Sequence, residues 1–335
     1  METVKRNIML NLLKGLACIG VVFIHVTFPG IVGIVVKKLA AFAVPIFYLT
    51  AGYYAYGKNV DTIKRRLFKI IKIFIFAYIV FFLYSAAMEF KNHMLTQWLA
   101  DNYNSTTLVK YLIFCTIEFA IPLWYLIAQI ETYVFWIIIL KLKKEGQITK
   151  LIPVLFVLQV ILVTICETMG FDWLWKKNFV TESLSWFLLG YYIHSLPEEK
   201  IDKISDKKLT LIGVVGAIII LVPFVLKLRM NFSCVGYIPY ATAMFLIALN
   251  HGNASICKPL EILGDKLSLW VYIFHVPASA VILSVVHSIL GVDETTGIYP
   301  WIHPLLTLSI VVWGSYVFNL LLVKCFKIKQ KNTQL

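Results

Sequence analysis

The chain has 335 residues, 60% hydrophobic and 15% charged, with a formal net charge of +13 and a mean hydropathy of +0.81. Soluble domains carry about 45–50% apolar and about 25% charged residues, so a soluble enzyme, a disordered tail and a disulfide scaffold are excluded. The composition is that of an all-α, polytopic membrane bundle of about ten transmembrane helices, since a run of 18 or more apolar residues crosses about 30 Å of hydrocarbon.

In chain order the expected spans are 8–28, 31–56, 67–88, 121–140, 151–167, 181–194, 209–227, 235–250, 267–289 and 303–324. No small-residue cleavage site follows the first, so it is expected to be retained. With a cytoplasmic N-terminus, inner segments and span ends carry 22 Lys+Arg against 9 Asp+Glu, and outer ones 8 against 8. That asymmetry follows the positive-inside rule and accounts for the basic charge without nucleic acid. Ten spans return the C-terminus, with Lys324, Lys327, Lys329 and Lys331, to the cytoplasm. The outer piece 89–110 and its continuation are expected to form a short helix on or in the outer surface. The inner piece 195–208 reads as a solvated loop. No linker or internal repeat divides the chain, so one domain over 1–335 is expected, and the repeat plan of many carriers has no support. The six cysteines form no C-x-x-C pair, so neither a metal site nor a disulfide framework is expected.

Ionisable residues inside apolar spans are costly unless they face protein or a water-filled cavity. Lys14 and His25 lie eleven residues apart, which at 100° per residue is three turns plus about 20°, so they share a helix face about 16 Å apart. Asn11 falls within about 40° of the direction of His25. The plain alternative is that Lys14 snorkels inward and His25 caps the outer end. Glu131 is the other charge left inside a span. Five cations (Lys64, Arg65, Arg66, Lys69, Lys72) crowd the entry to the third span, where clustered cations at a helix N-terminus suit phosphate. A positive-inside anchor explains them equally. Ser268, Tyr272 and His275 recur at four and three residues along one helix face. His275 lies about 12 Å into its span, too deep to snorkel, so it is either functional or a hydrogen-bonded structural histidine. His93, His194, His251, His287 and His303 carry no usable pattern.

These stretches, in this order, resemble the acyltransferase 3 family of integral membrane proteins. Its first span reads Asp-x-x-Arg-Gly followed by His ten residues on; here the string is Asn11-Leu-Leu-Lys14-Gly15 … His25. Val44-Pro-Ile-Phe47-Tyr-Leu-Thr50-Ala-Gly52 is similar to V-P-x-F-F-x-x-S-G, and Arg66-Leu-Phe-Lys69 to R-x-x-R. Leu123-Trp124-Tyr-Leu126, Trp186-Phe187-Leu-Leu-Gly190-Tyr and Leu263-Gly264 … Ser268 … Tyr272-Ile-Phe-His275 match three later motifs, so the resemblance covers essentially the whole chain. Asn11, Lys14 and Lys69 depart from Asp, Arg and Arg, which removes a carboxylate and two bidentate forks. Gln129 stands where many members have Glu. The variant pattern is closer to small bacterial O-acetyltransferases and to the membrane domains of vancomycin-resistance serine racemases.

The resemblance implies a multi-pass plasma-membrane acyltransferase with no permanently bound cofactor and no metal. Acyl-CoA, acetyl-CoA by default, is the implied cytoplasmic donor, its phosphates held by Arg65, Arg66 and Lys69. His25 is the implied base or acyl carrier. Lys14 is expected to steady the thioester side or a developing oxyanion, and Asn11 shares their stripe. Trp124, Tyr125, Ser268, Tyr272 and His275 are expected to contact substrate. The implied acceptor is a hydroxyl of an extracytoplasmic glycan or its lipid-linked precursor. The alternative is a non-catalytic translocator of serine or a glycan, weakened because the chain ends soon after its last span with no racemase domain.

Overall fold

The computed structural model describes residues 7–170, 178–197, 199, 204–291 and 297–332. Every regular element among them is helical. In chain order these are α1 (Ile8–His25), α2 (Gly30–Ala40), α3 (Ala43–Tyr53), α4 (Val60–Lys91), α5 (Leu95–Asn102), α6 (Ser105–Ile113) and α7 (Trp124–Leu142). There follow α8 (Glu145–Ile148), α9 (Ile152–Met169), α10 (Ser185–Ser195), α11 (Asp206–Val225) and α12 (Ser233–Asn250). The last are α13 (Lys258–Ile262), α14 (Ser268–Leu290) and α15 (Tyr299–Asn332).

Helix starts follow side-chain caps. The Asn7 side chain accepts the Leu10 N–H at 2.7 Å, Asn59 that of Thr62 at 3.0 Å, and Asn104 that of Thr107 at 2.9 Å. Gly170 closes α9 at φ 68°, a backbone state that a side chain disfavours.

Among the described residues, nine helical stretches are long and apolar enough to cross a membrane. The expected tenth, 181–194, is helical, a five-residue π turn (Val180–Leu184) running into the eleven residues of α10, and is not among the nine. The expected span 31–56 is among the nine as Gly30–Tyr53, with a turn at Ala41 and Phe42 between α2 and α3. The span expected from 121 starts its α-helix at Trp124, because Pro122 sits in a tighter 3-10 turn, Glu118–Leu123. The outer piece supplies both α5 and α6, and α6 exposes Leu108, Val109, Leu112 and Ile113. Helix α4 exposes Phe68, Ile75, Ile79, Leu83 and Phe90. In water such a stripe promotes aggregation; on a helix this long it is the surface that lipid covers.

The residues fall into two compact units, one made of 1–43 with 251–335 and one of 44–250. In the first, the terminal unit, α1 packs on α2, α13, the π turn Leu263–Leu267, α14 and α15. Backbones touch at the centre: a methyl group on Gly264 would sit 1.9 Å from the Asn11 carbonyl oxygen, and one on Gly15 2.2 Å from that of Leu260. Only hydrogen fits at either place. In the second, the central unit, α7 packs on α4 and on the π turn Val180–Leu184, and α11 on α12. There Gly52 of α3 meets the Phe187 carbonyl of α10, and Gly190 meets that of Leu49, equally closely.

Candidate functional site

The terminal unit holds Asn11, Lys14, His25, Ser268, Tyr272 and His275. His25 ends α1 and is exposed, whereas Lys14 and Asn11 are half-buried. His275 is completely enclosed (0% exposed) with its ring centroid 5.0 Å from that of His25, the planes tilted by 53°. Two histidines 250 residues apart thus form a pair. Nδ1 of His275 donates to the carbonyls of its own helix, Tyr272 at 2.7 Å and Val271 at 3.2 Å. Ser268 is half-buried, and its hydroxyl donates to the Gly264 carbonyl at 3.1 Å while its own carbonyl lies 3.9 Å from the buried Cys18 thiol. Tyr272 is buried, its ring 6.1 Å from that of His275. The close seam at Gly15 and Gly264 fixes α1 against the start of this segment, so the glycines of the two terminal motifs are structural while their histidines meet one another.

The central unit holds Arg65, Arg66, Lys69, Trp124 and Tyr125. Arg65 and Lys69 are exposed, and Arg65 Nη2 donates to Thr62 Oγ1 at 3.2 Å. Arg66 is half-buried, its guanidinium turned onto the Tyr133 phenol of α7. Arg66 and Lys69, placed on one face by their spacing, therefore differ in exposure: three residues turn 300°, which leaves 60° between them. The first N–H groups of α4 also differ from the expectation, because the Asn59 side chain takes the Thr62 N–H and its carbonyl those of Thr62 and Ile63. Trp124 is buried, and Tyr125 is half-buried under Tyr48, whose hydroxyl donates to the Tyr125 carbonyl at 3.2 Å with rings 4.8 Å apart.

Gln129 is 2% exposed, and neither atom of its amide has a hydrogen-bond partner among the described residues. Leaving such a group unpaired costs about 1–3 kcal/mol. Three further features escaped the sequence reading. His194 lies between Tyr53 and Tyr56, ring centroids at 4.1 and 4.9 Å, with Nδ1 2.7 Å from the Tyr53 carbonyl. Buried Cys115, at φ 51°, donates its thiol to Glu131 at 3.1 Å, which gives that carboxylate a polar neighbour. Ser183 in the π turn pairs with Thr132 at 2.5 Å and donates to the Ala128 carbonyl at 3.2 Å. The only prior sign of the second was Glu131 itself. The first and third depend on contacts between distant segments. No cluster of three or more His, Cys, Asp or Glu able to hold a metal occurs among the described residues.

No curated protein and no solved structure matches the chain. The family model described as an acyltransferase domain matches residues 7–322, which take in all of the central unit, most of the terminal one and every motif discussed above. The all-helical architecture, nine stretches able to cross a membrane and this match together make the chain a multi-pass membrane protein that belongs to the acyltransferase 3 family.

Proposed function

We propose that the protein moves an acyl group, acetyl by default, from acyl-CoA on the cytoplasmic face of the plasma membrane to a hydroxyl of an extracytoplasmic glycan or lipid-linked sugar. The observation that carries this reading is the exposed imidazole of His25, set at the end of α1 against the enclosed His275 in a chain of an acyltransferase family. An imidazole can serve as base or as nucleophile. As base, His25 takes the proton of the acceptor hydroxyl while the hydroxyl oxygen attacks the thioester carbonyl. The carbon–sulfur bond then breaks, and His25 returns the proton to the CoA thiolate. As carrier, a nitrogen of His25 attacks the thioester carbonyl, the carbon–sulfur bond breaks and CoA leaves as the thiolate. The acceptor hydroxyl oxygen then attacks the acyl-imidazole, the carbon–nitrogen bond breaks, and the hydroxyl proton passes to the released imidazole or thiolate.

Lys14 and Asn11 lie on the same helix as His25; the ammonium of Lys14 suits a developing oxyanion. Arg65, Arg66 and Lys69 supply three cations for the CoA phosphates, and Arg66 starts the most oriented because Tyr133 holds it. Trp124 and Tyr125 in the central unit, and Ser268 and Tyr272 in the terminal unit, are assigned to substrate contact.

The test uses purified protein in nanodiscs with radiolabelled acetyl-CoA, comparing wild type with His25→Ala. Release of CoA by the wild type and not by the variant supports the reading, and label retained on the wild-type protein selects the carrier route. Failure to bind or consume any of a panel of short and long acyl-CoAs overturns it in favour of a translocator.

A further inference from the structure

One nitrogen of His275 has a settled role. Nδ1 faces the carbonyl oxygens of Tyr272 and Val271 at 2.7 and 3.2 Å. Carbonyls only accept, so Nδ1 carries the hydrogen and Nε2 is a bare lone pair. That lone pair is fully buried and has no hydrogen-bond partner among the described residues. A buried acceptor left in this state is uncommon and destabilising. The neighbouring imidazole is that of His25, the two ring centroids 5.0 Å apart. A neutral imidazole offers one N–H and one lone pair, and which nitrogen carries which is set by what the ring donates to.

We propose that His275 is the positioning residue of the reaction: during turnover its Nε2, unpartnered among the described residues at rest, accepts the N–H of His25 and thereby fixes the other nitrogen of His25 as the lone pair that meets substrate. The inference rests on the reading of His25 as base or carrier. It moves His275, expected from the sequence to touch substrate, behind the reactive ring, where its complete enclosure keeps substrate away. No proton leaves His275 in the cycle. When His25 gains a proton or an acyl group at the nitrogen facing substrate it becomes cationic, and its other N–H stays on Nε2, where the neutral acceptor steadies the charge. Helix α14 holds the acceptor still by spending the Nδ1 hydrogen on its own backbone.

A pair of rings in simple contact predicts something else, since His275→Phe keeps the packing and removes only the acceptor. The test uses the full chain in nanodiscs, isotopically labelled at histidine nitrogen, as wild type, His275→Phe, His275→Gln and His25→Ala. Two readouts are taken: steady-state kinetics with acetyl-CoA, and the nitrogen resonances of His25, identified by their loss in His25→Ala. The expected wild-type result is a single His25 tautomer. His275→Phe should give a tautomer mixture and lower kcat roughly tenfold or more with KM for acetyl-CoA within about twofold. His275→Gln, whose side-chain oxygen accepts the same hydrogen bond, should recover both readouts in large part. A tautomer mixture already present in the wild type, or Phe and Gln variants that behave alike, overturns the proposal.

The two readings fail separately. Turnover that is abolished by His25→Ala but indifferent to His275→Phe leaves the function standing and removes the pair. A single tautomer lost in His275→Phe, with turnover surviving His25→Ala, leaves the pair and removes the role of His25.

Discussion

The two units treat polar side chains in opposite ways. In the terminal unit His275 is fully enclosed, hydrogen-bonded to its own helix and placed against His25, behind a seam so close that Gly15 and Gly264 admit only hydrogen. In the central unit Arg65 and Lys69 stay exposed, and Arg66 alone turns inward, onto one phenol. Enclosure fixes geometry, which bond-making steps require to within fractions of an ångström. Exposure leaves cations free to gather around a flexible, highly charged ligand, which needs charge more than angle. Damage to the first unit should therefore appear in kcat or in folding, and damage to the second in KM.

The largest expected effect is that of His25→Ala, which should lower kcat for acetyl-CoA by about 10²–10⁴-fold, the usual contribution of a general base, with KM little changed. Steady-state kinetics in nanodiscs measure both. A rise in KM without loss of kcat would reverse the division between the units. Next is Gly264→Val, which forces side-chain carbons into the Asn11 carbonyl and should cost about 1–3 kcal/mol of stability or more. Thermal unfolding in detergent reads it, with Gly146→Ala as the control, because nothing lies within 4 Å of that position. Arg66→Ala should raise KM for acetyl-CoA about tenfold, equivalent to about 1.4 kcal/mol, while Arg65→Ala and Lys69→Ala each do less. Equal effects from all three would show that the Tyr133 contact orients nothing. The smallest is Asn59→Ala, which removes the cap of α4 and should cost about 1 kcal/mol with kcat unchanged.

Most of the architecture was legible because apolar length is a one-dimensional property. A run of 18 residues or more without charge announces a span wherever its neighbours lie. What stayed hidden were the turns inside such runs. Hydropathy does not register the turn at Ala41–Phe42, or the tight turn that Pro122 imposes before Trp124. Helical spacing placed Lys14 and His25 on one face, but it speaks only of a single helix. That His25 meets His275, or that Arg66 meets Tyr133, depends on how different helices pack, and no pattern within either segment carries it. The glycines illustrate the same limit: four of the six motifs contain one, yet its reason lies in another segment, Gly264 with Asn11 and Gly52 with Phe187.

The widened turns at Val180–Leu184 and Leu263–Leu267 bear on how such chains tolerate insertions and deletions. Each residue added to a regular helix rotates everything beyond it by 100°. A π turn takes up the extra residue in one loop of the spiral and leaves the faces on either side in register. Among related chains, single-residue length differences should therefore gather in these two five-residue windows. Removing the exposed Lys266 should tighten its window to an ordinary turn while His275 keeps its bearing on His25. Removing Trp270, four residues further on, should swing His275 a quarter-turn away.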